Sequence, residues 1–206
     1  MRLFVGLAPS AAALDDLDAA CAPLRTGRDD LRWTSRELWH ITLAFLGEVS
    51  EDRLPGLLPR LERAARRHLS FALSFAGAGA FPSPARANVL WSGLSGDRKA
   101  LGELAMSVGA GARRAGAPPP DEGRRYRPHV TLARCRTPAD VRTIVAELSG
   151  YQGPAWTARE IYLIRSTLGG QTRYETLGTF TLKTTKTGLS SPGWGRRRAA
   201  PGVPRG

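Results

Sequence analysis

The feature that most constrains the fold is a short stretch that occurs twice, with a histidine and a threonine in fixed positions. Residues 39–46 read WHITLAFL, and residues 128–134 read PHVTLAR. His40 aligns with His129 and Thr42 aligns with Thr131, and the two copies lie 89 positions apart. A repeat at this distance predicts a duplicated unit whose two copies are related by a pseudo-two-fold axis.

The composition of each copy is typical of a strand with one apolar face. Side chains alternate between the two faces of a strand, so His40 and Thr42 project to one side while Ile41 and Leu43 project to the core. The same alternation applies to the second copy. Two such strands side by side would give a cleft two imidazoles and two hydroxyls, with space for a phosphate between them.

These residue types suit acid–base chemistry on a phosphodiester. A histidine titrates near pH 6.5, so near neutrality one imidazole of a pair can be protonated while the other is neutral. The neutral ring can accept a proton from water, and the charged ring can donate one to a leaving oxygen. Thr42 and Thr131 can donate hydrogen bonds to phosphate oxygens, where charge builds up in the transition state.

A metal site is the alternative use of a histidine pair. Neither copy has an acidic residue or a cysteine at a ligand-like spacing, and threonine is a poor ligand, so we expect neither a metal nor another cofactor. The third histidine, His68, follows Arg66-Arg67 and is expected to be exposed at a helix end. Cys21 and Cys135 match no metal or disulfide spacing, and they are expected to be reduced thiols in a cytoplasmic protein.

Strand and helix patterns alternate along the chain, with paired strands between the helices. This pattern predicts an α+β fold with antiparallel sheets, as opposed to a doubly wound parallel sheet. Thr137 and Pro138 are expected to open a helix that runs to about Leu148. The other segments predicted are strands at residues 2–8, 39–46, 71–78, 87–94, 128–134, 156–165 and 174–182, and helices at 11–24, 50–68 and 97–115.

The net charge of +12 favours a polyanionic partner such as RNA, although a generally arginine-rich composition would give the same sign. Six cations and no acid lie from Lys183 onward, so the preceding residues still carry about +6 by formal counting. We expect one domain of two lobes at residues 1–182 and a disordered basic tail at 183–206. The N-terminus lacks signal-peptide features, and no apolar stretch is long enough to span a membrane, so no membrane association is expected.

The two motifs resemble those of the 2H phosphoesterase superfamily, in particular its RNA 2′,3′-cyclic phosphodiesterase branch, historically called 2′-5′ RNA ligase. The resemblance covers about Arg2 to Leu182. The residues that carry it are HITLAFLG at 40–47, YRPHVTLAR at 126–134, MRLFV at 1–5, Phe81-Pro82, Val89-Leu90-Trp91 and STLGGQTRY at 166–174. The resemblance implies two pseudo-two-fold-related α+β lobes, with antiparallel sheets lining a positively charged cleft and helices outside.

The resemblance also implies a reaction, namely hydrolysis of a terminal 2′,3′-cyclic phosphate to a 2′-phosphate, reversible as ligation without ATP. It assigns His40 as the proton donor and His129 as the proton acceptor, although the residues alone leave the two roles interchangeable. Arg134 is expected to bind a phosphate oxygen if a bulge turns it toward the cleft, since a regular strand would place it opposite His129. Phe45 and Tyr126 are candidates for stacking on a base.

Further expectations follow from the same resemblance. Arg127 is a candidate for holding the substrate backbone, and Arg165 stands where the family often carries an acidic residue, which puts that local contact in doubt. RNA ends or cyclic nucleotides are the expected partners of a monomeric protein. Two alternatives stay open: a sister activity on a small cyclic nucleotide or a 2′-5′ linkage, and an RNA-binding module without catalysis.

Overall fold

The computed structural model describes residues 1–120, 125–167 and 172–184, and it contains two antiparallel sheets with helices packed outside them. The predicted α+β class is therefore confirmed. The elements in chain order are β1 (Arg2–Leu7), α1 (Ala11–Cys21), β2 (Leu31–Trp33), β3 (Ile41–Glu48), α2 (Leu54–Ala65), β4 (Phe71–Phe81), β5 (Ala87–Gly96), α3 (Arg98–Arg114), β6 (Val130–Ala139), α4 (Arg142–Glu147), β7 (Trp156–Ala158), β8 (Glu160–Thr167) and β9 (Arg173–Thr181).

The two sheets share a plan that starts from the strand carrying each motif. One sheet has the order β3-β1-β8-β9, and the other contains β6-β5-β4-β7 in the same relation. Each motif strand is antiparallel to its neighbour, with Thr42 opposite Gly6 in one sheet and Thr131 opposite Trp91 in the other. The second sheet has one additional strand, β2, on the outer edge of β6. The duplication therefore accounts for four strands in each sheet but not for β2.

The helices cover the faces of the sheets that the apolar side chains of the motif strands occupy. Helices α2 and α3 pack on each other and against the first sheet, while α1 and α4 pack against β4 of the second. Capping side chains begin two of these helices: Ser10 accepts from the N–H of Ala13, and Asp97 accepts from the N–H of Ala100. Fully buried leucines and isoleucines from both motif strands, such as Ile41 and Leu132, contribute about 1.5–3 kcal/mol each through burial.

Two local predictions were wrong, and one strand was missed. The segment at Thr137–Pro138 extends β6 because Ala139 pairs with Ala87, and the helix begins only at Arg142. There the carboxylate of Asp140 accepts from the N–H of Arg142. The strand expected at residues 156–165 is split, since β7 pairs in one sheet and β8 pairs in the other. Strand β2 was missed because three residues are too few to show an alternating pattern.

The described part of the chain ends just beyond Lys183. Lys183, where the basic tail was expected to begin, still donates its N–H to the carbonyl of His68, and its carbonyl accepts from Ser70. Residues 185–206, which make up most of the predicted tail, lie outside the described residues. Across residues 1–120, 125–167 and 172–184, no helix is long and apolar enough to cross a bilayer.

Candidate active site

The two sheets face each other across a cleft of about 670 Å³ into which both motifs project. Strands β1, β3, β8 and β9 contribute from the first sheet, and β2 and β6 contribute from the second. The residues that line the cleft are Arg2, Phe4, Arg32, Trp33, Thr34, Ser35, Glu37, Leu38, His40, Thr42, Phe45, His129, Thr131, Arg134, Ser166, Thr172 and Tyr174. The structure thus brings both predicted histidines and both predicted threonines to one cavity.

His40 lies immediately before β3 and is fixed on three sides. Its Nδ1–H donates to the carbonyl oxygen of Leu38 at 2.7 Å, and since a carbonyl can only accept, this bond fixes the hydrogen on Nδ1. The imidazole stacks on Phe4 with ring centroids 4.5 Å apart, and Tyr174 meets it edge-on at 5.3 Å. This arrangement leaves Nε2 as the nitrogen available for proton transfer.

His129 lies immediately before β6 and is fixed in the same way. Its Nδ1–H donates to the carbonyl oxygen of Arg127 at 2.7 Å, again two residues earlier in the chain. Phe81 meets the imidazole edge-on at 5.1 Å, and Trp91 lies 6.2 Å from it, centroid to centroid. The Trp91 ring rests over Gly79, where an added Cβ would come within 2.3 Å of ring atoms. Glycine at position 79 therefore leaves the space that the Trp91 ring occupies beside His129.

An identical bulge interrupts each motif strand directly after its threonine. In β3 the partner of β1 jumps from Thr42 to Ala44, and in β6 the partner of β5 jumps from Thr131 to Ala133. The skipped leucines and the following alanines are both buried, so the alternation of faces reverses at this point. The fifth residue after each histidine consequently turns into the cleft, namely Phe45 in one copy and Arg134 in the other.

The electrostatics of the cleft favour neutral imidazoles in the absence of a ligand. Burial is the main cause that lowers the pKa of His40 below 6.5; the bond to Leu38 opposes it, and positive charge on His129 and Arg134 lowers it further. Burial likewise lowers the pKa of His129, with the bond to Arg127 opposing it and Arg134 adding to it. Because each proton repels a second one, the pair favours a state with at most one protonated ring.

The structure does not bring Tyr126 into the cleft. Its side chain packs against the core, and its hydroxyl donates to the carbonyl oxygen of Thr42 at 3.0 Å. Burial raises the pKa of this hydroxyl. Tyr126 therefore connects the segment leading to the second motif with the strand of the first, and its expected role in base stacking is not supported by its position.

Two arginines considered from the sequence also lie away from the cleft. Arg127 is exposed and contributes its carbonyl to His129, and its side chain is not among those that line the cavity. Arg165 forms an ion pair with Glu175 on the neighbouring strand. Its neighbour Ser166 faces the cleft opposite Tyr174, so the departure at position 165 leaves the cleft lining intact.

Several cleft residues were not predicted as site residues. Arg2 and Phe4 come from β1, and the Arg2 guanidinium lies 4.9 Å above the centre of the Phe45 ring. Residues 32–35 come from β2 and the turn after it. Arg2 and Phe4 are two residues apart in a predicted strand, and this spacing places both side chains on one face. The three residues of β2 are too few to show such an alternation.

Comparison with known proteins identifies the family. A family model described as LigT like Phosphoesterase matches residues 7–91 and 94–174. The chain belongs to this family, which is part of the 2H superfamily. The matched ranges include both histidine motifs and most of the two sheets, so the LigT-like family assignment rests on the parts of the chain that form the cleft.

Individual relatives agree with the LigT-like assignment. The chain is 30% identical over 140 residues to a protein of Aquifex aeolicus named RNA 2′,3′-cyclic phosphodiesterase, covering 66% of this chain and 73% of that protein. It is 30% identical over 169 residues to a protein of the same name from Archaeoglobus fulgidus, covering 82% and 92%. The crystal structure of E. coli LigT complexed with 3′-AMP is similar with a TM-score of 0.67 and 27% identity, covering 88% and 96%.

The donor set of the cleft is poor in metal ligands. In the described part of the chain, no three His, Cys, Asp or Glu side chains lie together in an arrangement that would hold a metal ion. Glu37 is the one carboxylate among the cleft-lining residues described. What the cleft does present is two imidazoles, two threonine hydroxyls and three guanidinium groups, which together suit an anionic substrate.

Proposed function

We propose that this protein hydrolyses the terminal 2′,3′-cyclic phosphate of RNA to a 2′-phosphomonoester by general acid–base catalysis with His40 and His129. The observation that carries the proposal is the pairing of two imidazoles in one cleft, each held through Nδ1–H by the carbonyl two residues earlier. That bond fixes the tautomer and orientation of each ring and assigns proton transfer to Nε2. The names of the two relatives above support the choice of substrate.

The proposed step transfers two protons, one from the attacking water to His129 and one from His40 to the leaving oxygen. Nε2 of His129 accepts a proton from water as the water oxygen forms a bond to phosphorus. The bond from phosphorus to the 3′ oxygen breaks, and Nε2–H of His40 donates its proton to that oxygen. The products are a 2′-phosphomonoester and a 3′-hydroxyl. When a hydroxyl of a second RNA end attacks in place of water, the same bond to the 3′ oxygen breaks, and the product is a new phosphodiester with a free 3′-hydroxyl.

The remaining cleft groups bind and orient the substrate in this proposal. The hydroxyls of Thr42 and Thr131 donate to the non-bridging phosphate oxygens, and the Arg134 guanidinium neutralises part of their charge. Phe45 and the Arg2 guanidinium above it offer a platform for the terminal base. The bound anion raises the pKa of both histidines, which offsets the effect of burial and favours the protonated form of His40 that donates to the leaving oxygen.

Product analysis on a defined substrate tests this function. A dinucleotide that ends in a 2′,3′-cyclic phosphate is incubated with the protein in EDTA, and the products are separated from authentic 2′- and 3′-phosphate standards. We expect complete conversion to the 2′-phosphate with the chelator present. A 3′-phosphate product, or activity that disappears with EDTA and returns with a metal, would contradict the proposal.

A further inference from the structure

Strand β2 lines the cleft but has no counterpart among the described strands of the first sheet, so it lies outside the duplicated four-strand unit. The four strands β6-β5-β4-β7 correspond to β3-β1-β8-β9, and β2 is added on the open side of β6. In the first sheet, β3 is the edge strand in the same position. Among the described residues, the second motif therefore has a neighbouring strand where the first has none, and that strand brings Arg32 into the cleft lining.

Arg32 lies directly opposite Arg134 across the β2–β6 pair. The two are register partners in antiparallel strands, so their side chains project to the same face with Cβ atoms about 5 Å apart. Both are exposed, and both line the cleft. Like charges directly opposite one another destabilise a sheet, and a bound anion would relieve that repulsion.

No carboxylate in the described ranges compensates this arginine pair. The ion pairs of residues 1–120, 125–167 and 172–184 include none to Arg32 or Arg134. Glu37 also lines the cleft, but it forms no ion pair with either arginine. The arrangement contrasts with the cross-strand partners Arg165 and Glu175, where an opposite charge faces the arginine.

The two arginines lie at different depths relative to the histidines. Positive charge on Arg134 lowers the pKa of both His40 and His129, whereas Arg32 is not among the causes for either. Arg134 lies on β6, the strand that carries the second motif, and is the inner group, next to the proposed cyclic phosphate. Arg32 lies one strand further out, at a strand spacing of about 4.8 Å. The cationic site thus continues past the reacting phosphate toward the edge of the sheet.

We propose that Arg32 binds the phosphodiester that joins the terminal nucleotide to its 5′ neighbour, so that the protein favours an oligonucleotide end over a cyclic mononucleotide. This inference rests on the proposed function and names its substrate more narrowly. Arg134 and Arg32 then contact successive phosphates of one strand. Because Arg32 is exposed, its contribution decreases as salt concentration rises.

The test removes the charge from the protein and from the substrate separately. Two dinucleotides ending in a 2′,3′-cyclic phosphate are compared, one with a normal phosphodiester linkage and one with a neutral methylphosphonate linkage. We expect kcat/KM of the wild-type protein to be about tenfold higher for the charged linkage, in line with one charge-assisted hydrogen bond. In Arg32→Gln, the ratio between the two substrates should fall to about one.

A matched control is available on the same strand. Arg136 is exposed on β6, two residues beyond Arg134, and it does not line the cleft. Arg136→Gln removes the same net charge and should keep the tenfold ratio. Equal kcat/KM for the two linkages in the wild-type protein, or an unchanged ratio in Arg32→Gln, would overturn the inference. An unchanged ratio in Arg32→Gln is also the result expected if Arg32 and Arg134 both bind the cyclic phosphate.

The failure of the inference and the failure of the proposed function give different results. A wild-type protein that opens neither dinucleotide nor a 2′,3′-cyclic mononucleotide overturns the proposed function and this inference with it. A protein that opens all three with similar kcat/KM retains the proposed function and loses only the second phosphate site.

Discussion

The two copies of the motif have the same backbone and different surroundings. In both, the histidine bonds to a carbonyl two residues earlier, and a bulge follows the threonine and turns the fifth residue after the histidine into the cleft. That fifth residue is aromatic in the first copy and cationic in the second, namely Phe45 and Arg134. The shared backbone presents two imidazoles in equivalent positions, and the differing side chains give the two sides of the cleft different chemistry.

The aromatic side chains that contact the two imidazoles also differ between the copies. His40 rests on Phe4 of the adjacent strand and on Tyr174, while His129 rests on Phe81 and Trp91. In the part of the chain that the structure describes, only the second copy has an additional strand beside it. In the proposed mode of binding, Phe45 and Arg2 of the first sheet contact the terminal base, and the cationic groups Arg134 and Arg32 of the second contact phosphates.

The largest expected effect is the loss of either imidazole. His40→Ala and His129→Ala should each lower kcat for opening a 2′,3′-cyclic nucleotide at least about a hundredfold, the usual contribution of a general acid or base. His68→Ala is the control, because its Nε2 is 2.8 Å from the Ser107 hydroxyl and it does not line the cleft. Activity that survives both cleft substitutions would rule out the two-histidine mechanism.

A sulfur substitution in the substrate distinguishes the roles of the two copies. A cyclic phosphate with sulfur in place of the 3′ bridging oxygen has a leaving group that needs little protonation, since thiols ionise near pH 8.5. With this substrate, His40→Ala should recover most of the hundredfold loss, while His129→Ala should stay defective. Recovery in His129→Ala instead would reverse the assignment of acid and base.

Removing the cationic group of the second copy should lower activity and shift its pH dependence. Arg134→Gln should reduce kcat/KM about ten- to a hundredfold, because a hydrogen bond from a charged group to phosphate is lost. Arg134 also lowers the pKa of both histidines, so its removal raises both and moves the bell-shaped profile of kcat/KM to higher pH.

In the wild-type protein, that profile should peak below pH 6.5, the ordinary pKa of histidine, because both histidines titrate below it. Arg136→Gln serves again as the control and should leave the peak in place. A peak that moves to lower pH in Arg134→Gln, measured with a cyclic mononucleotide, would show that Arg134 does not act on the histidines through its charge.

A smaller effect is expected from filling the space beneath Trp91. In Gly79→Ala the new Cβ would lie 2.3 Å from the indole ring, so the ring must shift and disturb the support of His129. We expect the free energy of unfolding to fall by about 1–3 kcal/mol, as for other overpacked cores, and kcat to fall with it. Denaturant unfolding and initial rates measure both quantities.

Gly102→Ala is the matched control for this substitution. Gly102 lies in α3, where no atom of another described residue outside the local helix backbone comes within 4 Å of an added Cβ, so alanine should stabilise the helix by up to about 1 kcal/mol. In the first copy, Gly6→Ala should be milder than Gly79→Ala, because the nearest atom is 3.1 Å away. Equal stability of Gly79→Ala and the wild-type protein would contradict the tight packing around His129.

The smallest effect is expected at the aromatic position of the first copy. Phe45→Leu keeps an apolar side chain but loses the flat ring, so KM for a cyclic mononucleotide should rise about threefold, the usual value of an aromatic contact beyond its burial. Phe45→Tyr retains the ring and should keep the wild-type KM. If both variants behave alike, Phe45 acts through packing and not by stacking on the base.

The sequence was most informative where chemically reactive side chains recur at the two-residue period of a strand. The paired motif predicted both histidines and both threonines of the cleft, and the mixed strand and helix pattern predicted the α+β class, which is confirmed. Prediction was weaker where the pairing of one strand with another decides whether a segment is strand or helix. The segment at residue 138 continues a strand because β5 pairs with it, although Thr137-Pro138 is typical of a helix start.

What the sequence by itself determined is the duplicated unit, because a strand of period two places histidine and threonine on one face without any long-range contact. The family follows from the same residues. Only the tertiary structure decided the direction of Arg134, the exclusion of Tyr126 from the cleft and the arrival of Arg32 beside Arg134. Each depends on a bulge or a strand pairing between residues far apart in the chain, and the one-dimensional pattern does not contain that information.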